Sequence, residues 1–267
     1  MIVTKYWLLG DTHRYVTTHI KNFKLRYPHE KPEDTCIICL GDWGVNVGGA
    51  SYENDQKLKK TISSYGYHWI ILRGNHELRA SQVPNMKRVY DEELHGYVWM
   101  EEEFPLIRYF EDCVAEYVIN GYSILTIPGA YSIDKYFRIA NHHFWNPEEQ
   151  LTQEEMDTGF TLAAGKSYDF VFSHTCPISI EPTDLFLSLV NQKEVDRTME
   201  NYLEKVKNNI NFKLWCLAHF HDDRLERPWA QMFYHNFEPL DDVYERVAHP
   251  KDEPDYYHKK SPNYYMN

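Results

Sequence analysis

YWLLGDTHRYV, residues 6–16, is an aromatic-aliphatic run that stops at Gly10 and passes at once into an acid, a hydroxyl, an imidazole and a guanidinium. A short apolar run closed by a glycine reads as a buried strand with a polar tip. The same figure recurs in TCIICLGDWG (35–44) and in YHWIILRGNHE (67–77). Between these strands, residues 15–27 read as a helix that ends near Pro28. SYENDQKLKKTISSYG (51–66) reads as a helix capped by Ser51 and closed by Gly66. A β-α-β-α-β order implies parallel strands joined by crossover helices.

The remainder continues in α/β style. CVAEYVINGYSILTIPG (113–129) holds two strand-like runs around Asn120-Gly121, a strong hairpin signal. LTQEEMDTGFTLAAG (151–165) carries a capping box, Thr152 with Glu155, ahead of helical residues. YDFVFSHT (168–175), FKLWCLAHFH (212–221) and QMFYHNF (231–237) read as strands, and EVDRTMENYLEKVKNN (194–209) as an amphipathic helix. There is no repeat, no low-complexity tract and no evident linker. One domain over residues 1–240 is expected, with residues 241–267 as a peripheral tail rich in Pro, Tyr and charge.

The composition limits the function classes. With 43% hydrophobic and 25% charged residues, the chain has the make-up of a globular protein. Its formal net charge is −12, and Lys and Arg are scattered rather than clustered, which disfavours binding of extended nucleic acid. A small phosphorylated substrate stays compatible, because bound metal ions bring positive charge with them. Five cysteines, an odd number, argue against a disulfide framework. Cys36 and Cys39 form a C-x-x-C inside an apolar strand, where they read as small buried hydrophobes. Met1 leads into a strand without a basic leader and an apolar core, and no apolar stretch has the length of a membrane span. A cytoplasmic protein without a membrane partner is expected; the sequence is silent on oligomeric state.

Five expected strands share one ending. Gly10-Asp11-Thr12-His13, Gly41-Asp42-Trp43-Gly44, Gly74-Asn75-His76-Glu77, Ser173-His174-Thr175 and Ala218-His219-Phe220-His221 each follow a strand. In open α/β sheets, ligands sit at the carboxyl ends of strands. Each ending alone is compatible with a turn or a cap; an ordered set of five is much harder to obtain by accident. Carboxylates, an amide oxygen and imidazoles suit divalent metals. Asp11, His13, Asp42, Asn75, His174, His219 and His221 are too many ligands for one ion and suit two, with one carboxylate bridging. Two ions at ~3.5–4 Å can generate a hydroxide and clamp the oxygens of an in-line displacement. The glycines are expected to let the backbone turn sharply, and strand alternation to send His219 and His221 to one side.

In these residues the chain resembles the calcineurin-like metallophosphoesterases. The patterns GDxH, GDxx(D/G), GNH(D/E), a single His and GHxH stand in order from residue 10 to residue 221, with Ala218 for the glycine of the last. The resemblance implies a four-layer α/β/β/α sandwich and two divalent ions, manganese first, with iron, zinc or nickel also fitting the ligands. It implies that Asp11, His13 and His221 hold one ion, that Asn75, His174 and His219 hold the other, and that Asp42 bridges. His76 would approach the substrate phosphate as the catalytic residue. An imidazole suits that task because it exchanges protons near neutrality. Glu77 reads as support or turn structure.

LRGNHE (72–77) looks most like the protein Ser/Thr phosphatase branch, whose second motif is GDxVDRG. Here Val45 and Asn46 stand where that branch has its Asp and Arg. Arg14 and Arg73 are the candidate substrate-binding residues in its place, because a guanidinium matches phosphate oxygens. The stretch 128–145, with Tyr131, Lys135, His142 and His143, is an insert that either lines the cleft or packs the fold. The expected function is hydrolysis of phosphate mono- or diesters by in-line attack of a metal-bridging hydroxide, on a small phosphorylated substrate or a phosphoprotein. A non-enzymatic protein-binding scaffold and a nuclease or cyclic-nucleotide phosphodiesterase are the alternatives.

Overall fold

The structure, a computed structural model, describes residues 3–48 and 52–248. Its first half follows the expected alternation: β1 (Lys5–Leu9), α1 (Val16–Arg26), β2 (Thr35–Cys39), α2 (Tyr52–Ser63) and β3 (His68–Ile71). The three strands pair in parallel, with Trp7 beside Ile37 and Ile38 beside Ile70. β6 (Ile107–Tyr109) extends the sheet in parallel, the hairpin β4 (Met86–Asp91) and β5 (Gly96–Glu101) continues it antiparallel, and β13 (Glu238–Pro239) borders β1. This seven-stranded sheet has the order β13-β1-β2-β3-β6-β5-β4.

A second sheet is built from β7 (Ala115–Ile119), β8 (Tyr122–Ile127), β9 (Ser167–Ser173), β10 (Asn211–Leu217), β11 (Arg224–Arg227) and β12 (Ala230–Met232), in the order β11-β12-β10-β9-β8-β7. β8, β9, β10 and β12 run in parallel, and the two edge strands are antiparallel. Asn120 and Gly121 both take positive φ, 53° and 82°, as a tight hairpin of matching twist requires.

Side-chain alternation makes the layers. In β1, Tyr6 and Leu8 turn between the sheets, where they join Ile38 and Ile70 of the first sheet and Phe170, Phe172 and Leu214 of the second. Trp7 and Leu9 turn outward onto Ile20 and Phe23 of α1, beside Ile62 of α2. The outer face of the second sheet, with Val171 and Trp215, is covered by Met156 of α4 (Gln153–Ala163) and by Met199, Leu203 and Val206 of α5 (Thr198–Lys207). Helix, sheet, sheet, helix is the four-layer α/β/β/α sandwich. α4 opens with the expected capping box of Thr152 and Glu155.

Several expectations change. No strands are expected from the sequence at β4 to β6; of these, β4 is an exposed edge with charged Lys87 and Arg88, a composition suited to edge protection. QMFYHNF forms a strand only as far as Met232, because the Asp223 carboxylate accepts the backbone N–H groups of Tyr234, His235 and Asn236 and draws that segment into a loop. The segment taken as a peripheral tail begins as α6 (Leu240–Ala248), whose Leu240 and Val243 are buried between the sheets. The rest of the tail, and the Ser51 cap, lie outside the described residues. The cysteines are all free, and Cys36 and Cys39 are buried in different apolar layers. Among the described residues no helix is long and apolar enough to cross a membrane.

Lys59 of α2 is fully buried and paired with Glu101 at the end of β5, whose other oxygen accepts from Gln56 Nε2 at 2.9 Å. Removing one member of such a pair strands a buried charge. Lys59→Met is expected to cost about 3–5 kcal/mol in urea denaturation, and Lys59→Met with Glu101→Leu much less. A single substitution as mild as the double would show that the pair does not hold α2 to the sheet.

Candidate metal centre

The five polar endings all lie beyond the carboxyl ends of parallel strands: β1 for Asp11 and His13, β2 for Asp42, β3 for Asn75 and His76, β9 for His174, and β10 for His219 and His221. The backbone turns sharply there through side-chain-bearing residues. His13, Arg14, Asp42, His219 and His221 all have positive φ, between 42° and 72°. Such conformations are costly for residues other than glycine and gather where function over-determines the backbone. His219 and His221 therefore do not reach the centre by strand alternation, since β10 ends at Leu217 and the pair lies on left-handed turns beyond it. Of the glycines, Gly41 does turn, at φ 108°. Gly74 serves close approach instead: a Cβ there would stand 2.2 Å from Asp42 Oδ1.

Distances show convergence. Asp11 Oδ1 is 4.0 Å from Nε2 of His13, 4.0 Å from Nε2 of His221 and 3.9 Å from Nε2 of His174. The His13 and His221 Nε2 atoms approach to 2.7 Å. Asp42 Oδ2 is 3.6 Å from Nε2 of His174 and 3.6 Å from Nε2 of His76. Asn75 Oδ1 lies 3.0 Å from His174 Nε2, and the His219 ring is centred 5.0 Å from that of His174. The donors thus separate into a group around His13 and His221 and a group around His174, with Asp11 and Asp42 buried between them.

The electrostatics fit divalent cations. Asp11 Oδ1 is buried and accepts no hydrogen bond, a costly arrangement for a carboxylate oxygen without a cation. Burial, with Asp42 nearby, pushes the Asp11 carboxyl up to about 7. Burial acts on Asp42 in the same direction, but His174 and His76 outweigh it and hold that carboxyl well below its ordinary range. Withdrawal from water lowers His13 to about 4 and His219 well below the usual imidazole value, which leaves both in the neutral, metal-binding form. Burial opposes charge on His174, yet Asp42 and Asp11 carry it up to about 9. A proton on His174 balances charge that a metal would otherwise balance.

Neighbouring groups fix these side chains. Glu77 is buried and accepts from the backbone N–H of Asp42 (3.1 Å), Gly44 (2.9 Å) and Gly74 (2.8 Å), tying the second ending to the third. His174 Nδ1 meets the Leu40 carbonyl at 2.8 Å, which directs Nε2 to the centre. Asn75 Nδ2 donates to Ser132 Oγ at 2.8 Å, Ser132 Oγ donates to Glu149 at 2.5 Å, and Trp145 Nε1 donates to the same carboxylate at 2.8 Å. This relay turns the Asn75 oxygen inward. Tyr234 stacks on His221, ring centroids 4.9 Å apart. Ser132, Glu149 and Tyr234 carry no local motif; only their long-range contacts reveal them.

His76 is partly exposed beside the centre, its backbone N–H donating to Asp42 Oδ1 at 3.1 Å. The two candidate arginines differ in setting. Arg73 is buried and donates from Nη1 to the Glu149 carbonyl at 2.9 Å, while its Nε and Nη2 have no hydrogen-bond partner. Arg14 stands at the rim with Nη2 on Asp55 Oδ1 at 2.8 Å. The insert is partly buried and partly borders a cavity. Ala130, Tyr131 and Ser132 are buried, whereas Arg138, His142 and His143 border a cavity of about 900 Å³ together with Arg14 and Trp145.

No curated protein matches the chain in sequence. Among solved structures, the phosphopantetheinyl hydrolase PptH from Mycobacterium tuberculosis overlaps 98% of each chain at 15% identity and a TM-score of 0.40. A protein of unknown function from Aquifex aeolicus overlaps 54% of this chain and 81% of its own at 13% identity and a TM-score of 0.26. These overlaps are loose and say nothing about substrate. The sequence family described as calcineurin-like phosphoesterase, by contrast, matches residues 4–223, which take in β1 to β10 and all five endings. The chain belongs to the calcineurin-like phosphoesterase family.

Proposed function

We propose that this chain is a dinuclear metal-dependent phosphoesterase. Asp11, His13 and His221 would hold one divalent ion, Asn75, His174 and His219 would hold the other, and Asp42 would serve both. The observation that carries this reading is the buried, unpartnered Asp11 Oδ1 with three imidazole nitrogens about 4 Å away. When bound, the ions supply a nucleophile from water at neutral pH and positive charge for phosphate oxygens. Manganese suits the mixed oxygen and nitrogen donors, and five free cysteines suit a reducing compartment such as the cytoplasm.

The chain's own residues do the rest. Asp11 and Asp42 hold negative charge out of water, and Glu77 keeps the two loops at fixed separation. His76 stands at the open side, where its ring nitrogen delivers a proton to the departing oxygen of an ester.

The manganese-loaded protein is expected to hydrolyse p-nitrophenyl phosphate or its bis ester. His76→Ala should lower kcat by about 10²–10⁴-fold with metal content unchanged. No turnover of either ester by fully loaded protein overturns the reading.

Metal uptake should release protons. The folded metal-free protein keeps His174 protonated below about 9, so the metal must displace that proton and apparent affinity falls as pH drops through that value. Calorimetry in buffers of different ionisation enthalpy measures the release, and an enthalpy independent of buffer speaks against it. Ser132→Ala, by freeing the Asn75 amide, should weaken one of the two ions by about 10–100-fold. Equal retention of both ions in a metal-stoichiometry titration would remove Asn75 as a ligand.

A further inference from the structure

The loop after β2 brings no cation to the centre. Val45 is fully buried in the outer apolar layer, and the Asn46 carbonyl accepts from the Leu78 N–H at 2.9 Å, so both are packed into the fold. Arg73 is buried, with Nη1 on the Glu149 carbonyl, and Arg79 is spent on Glu148, Glu155 and the Gln150 carbonyl. Arg138, from the short helix α3 (Lys135–Ala140) of the insert, is placed differently. Its Nη2 is 3.4 Å from His76 Nε2. Asp134 Oδ2 holds Nε at 2.6 Å, which steadies the guanidinium while Nη2 stays directed at His76. Arg138 also borders the cavity of about 900 Å³ beside the centre. His76 is the imidazole at the centre that belongs to neither proposed ligand group, and Arg138 is set against it in a chain of net charge −12.

We propose that Arg138 binds the substrate phosphate next to His76 and makes this site selective for phosphomonoesters. This rests on the phosphoesterase reading above. A monoester has three unesterified oxygens and two negative charges near neutral pH; a diester has two such oxygens and one charge. A site that engages two oxygens at its ions leaves a further oxygen for a guanidinium only on the monoester. Arginine is suited to that oxygen because its planar fork donates to phosphate with fixed geometry. The organic part of the ester then lies in the cavity, against Phe144 and Ile139.

The test compares wild-type protein with Arg138→Ala, Arg138→Gln and Arg138→Lys, all loaded with manganese and checked for equal metal content. Titration calorimetry with inorganic phosphate gives a readout independent of turnover, and steady-state kinetics use p-nitrophenyl phosphate and its bis ester. Loss of charge-assisted hydrogen bonds is expected to weaken phosphate binding and to lower kcat/KM for the monoester by about 10–100-fold in the Ala and Gln variants. The diester should change by less than about threefold, and Lys should restore the monoester in part, as a point charge without the fork. If wild type turns over esters and the Ala and Gln variants match it in phosphate affinity and monoester kinetics, the role of Arg138 is overturned and the phosphoesterase reading stands. An equal loss for both esters overturns the selectivity. A wild type that turns over neither ester overturns both readings.

Discussion

Two carboxylates, Asp11 and Asp42, are buried side by side at the carboxyl ends of β1 and β2, and the rest of the molecule is arranged around them. Burying two like charges is strongly unfavourable without compensation. Here His13, His174 and His221 point ring nitrogens at Asp11, His174 and His76 point theirs at Asp42, and one Asp11 oxygen still lacks a partner. An apolar sandwich would be more stable without this cluster. Its presence, together with a run of left-handed residues at the same loops, marks a place where stability yields to chemistry.

The fold makes that arrangement possible by supplying rigidity nearby. Parallel strands buried on both faces end in register, so loops distant in sequence open onto one region. Glu77 ties two of these loops together through three backbone N–H groups, and the Leu40 carbonyl orients His174. The insert between β8 and α4 then adds a layer of its own. Its inner half, through Ser132 and Glu149, fixes the Asn75 amide; its outer half, with Arg138, forms the wall of the cavity. One segment thus both positions the Asn75 amide and borders the cavity, and loops on a shared scaffold are where individual sites arise.

Much of this was legible along the chain. Strands such as YWLLG and TCIICLG announce themselves because burial on both faces demands continuous apolar runs, and each polar ending interrupts such a run at once. The hairpin at Asn120-Gly121 and the cap at Thr152 with Glu155 are local devices with local signatures. The strand β4 was not legible, because an exposed edge carrying Lys87 and Arg88 is charged for protection and reads as loop. Nor was α6, whose Leu240 and Val243 find their partners only between the assembled sheets.

By itself the sequence determined the alternation of β1 to β3 with α1 and α2, the α/β class and the polar endings at which Asp and His side chains gather, since apolar runs, turn signals and residue types are properties of short stretches. Only the tertiary structure decided which arginine faces the centre. Arg14, Arg73 and Arg138 are equivalent in the sequence as cations near motifs or in an insert. Arg73 is buried with Nη1 on backbone carbonyls, Arg14 pairs with Asp55, and Arg138, itself paired with Asp134, is brought by the path of the insert to His76. The reason is physical: a guanidinium's task is set by the groups that surround it, and those come from parts of the chain far apart in sequence.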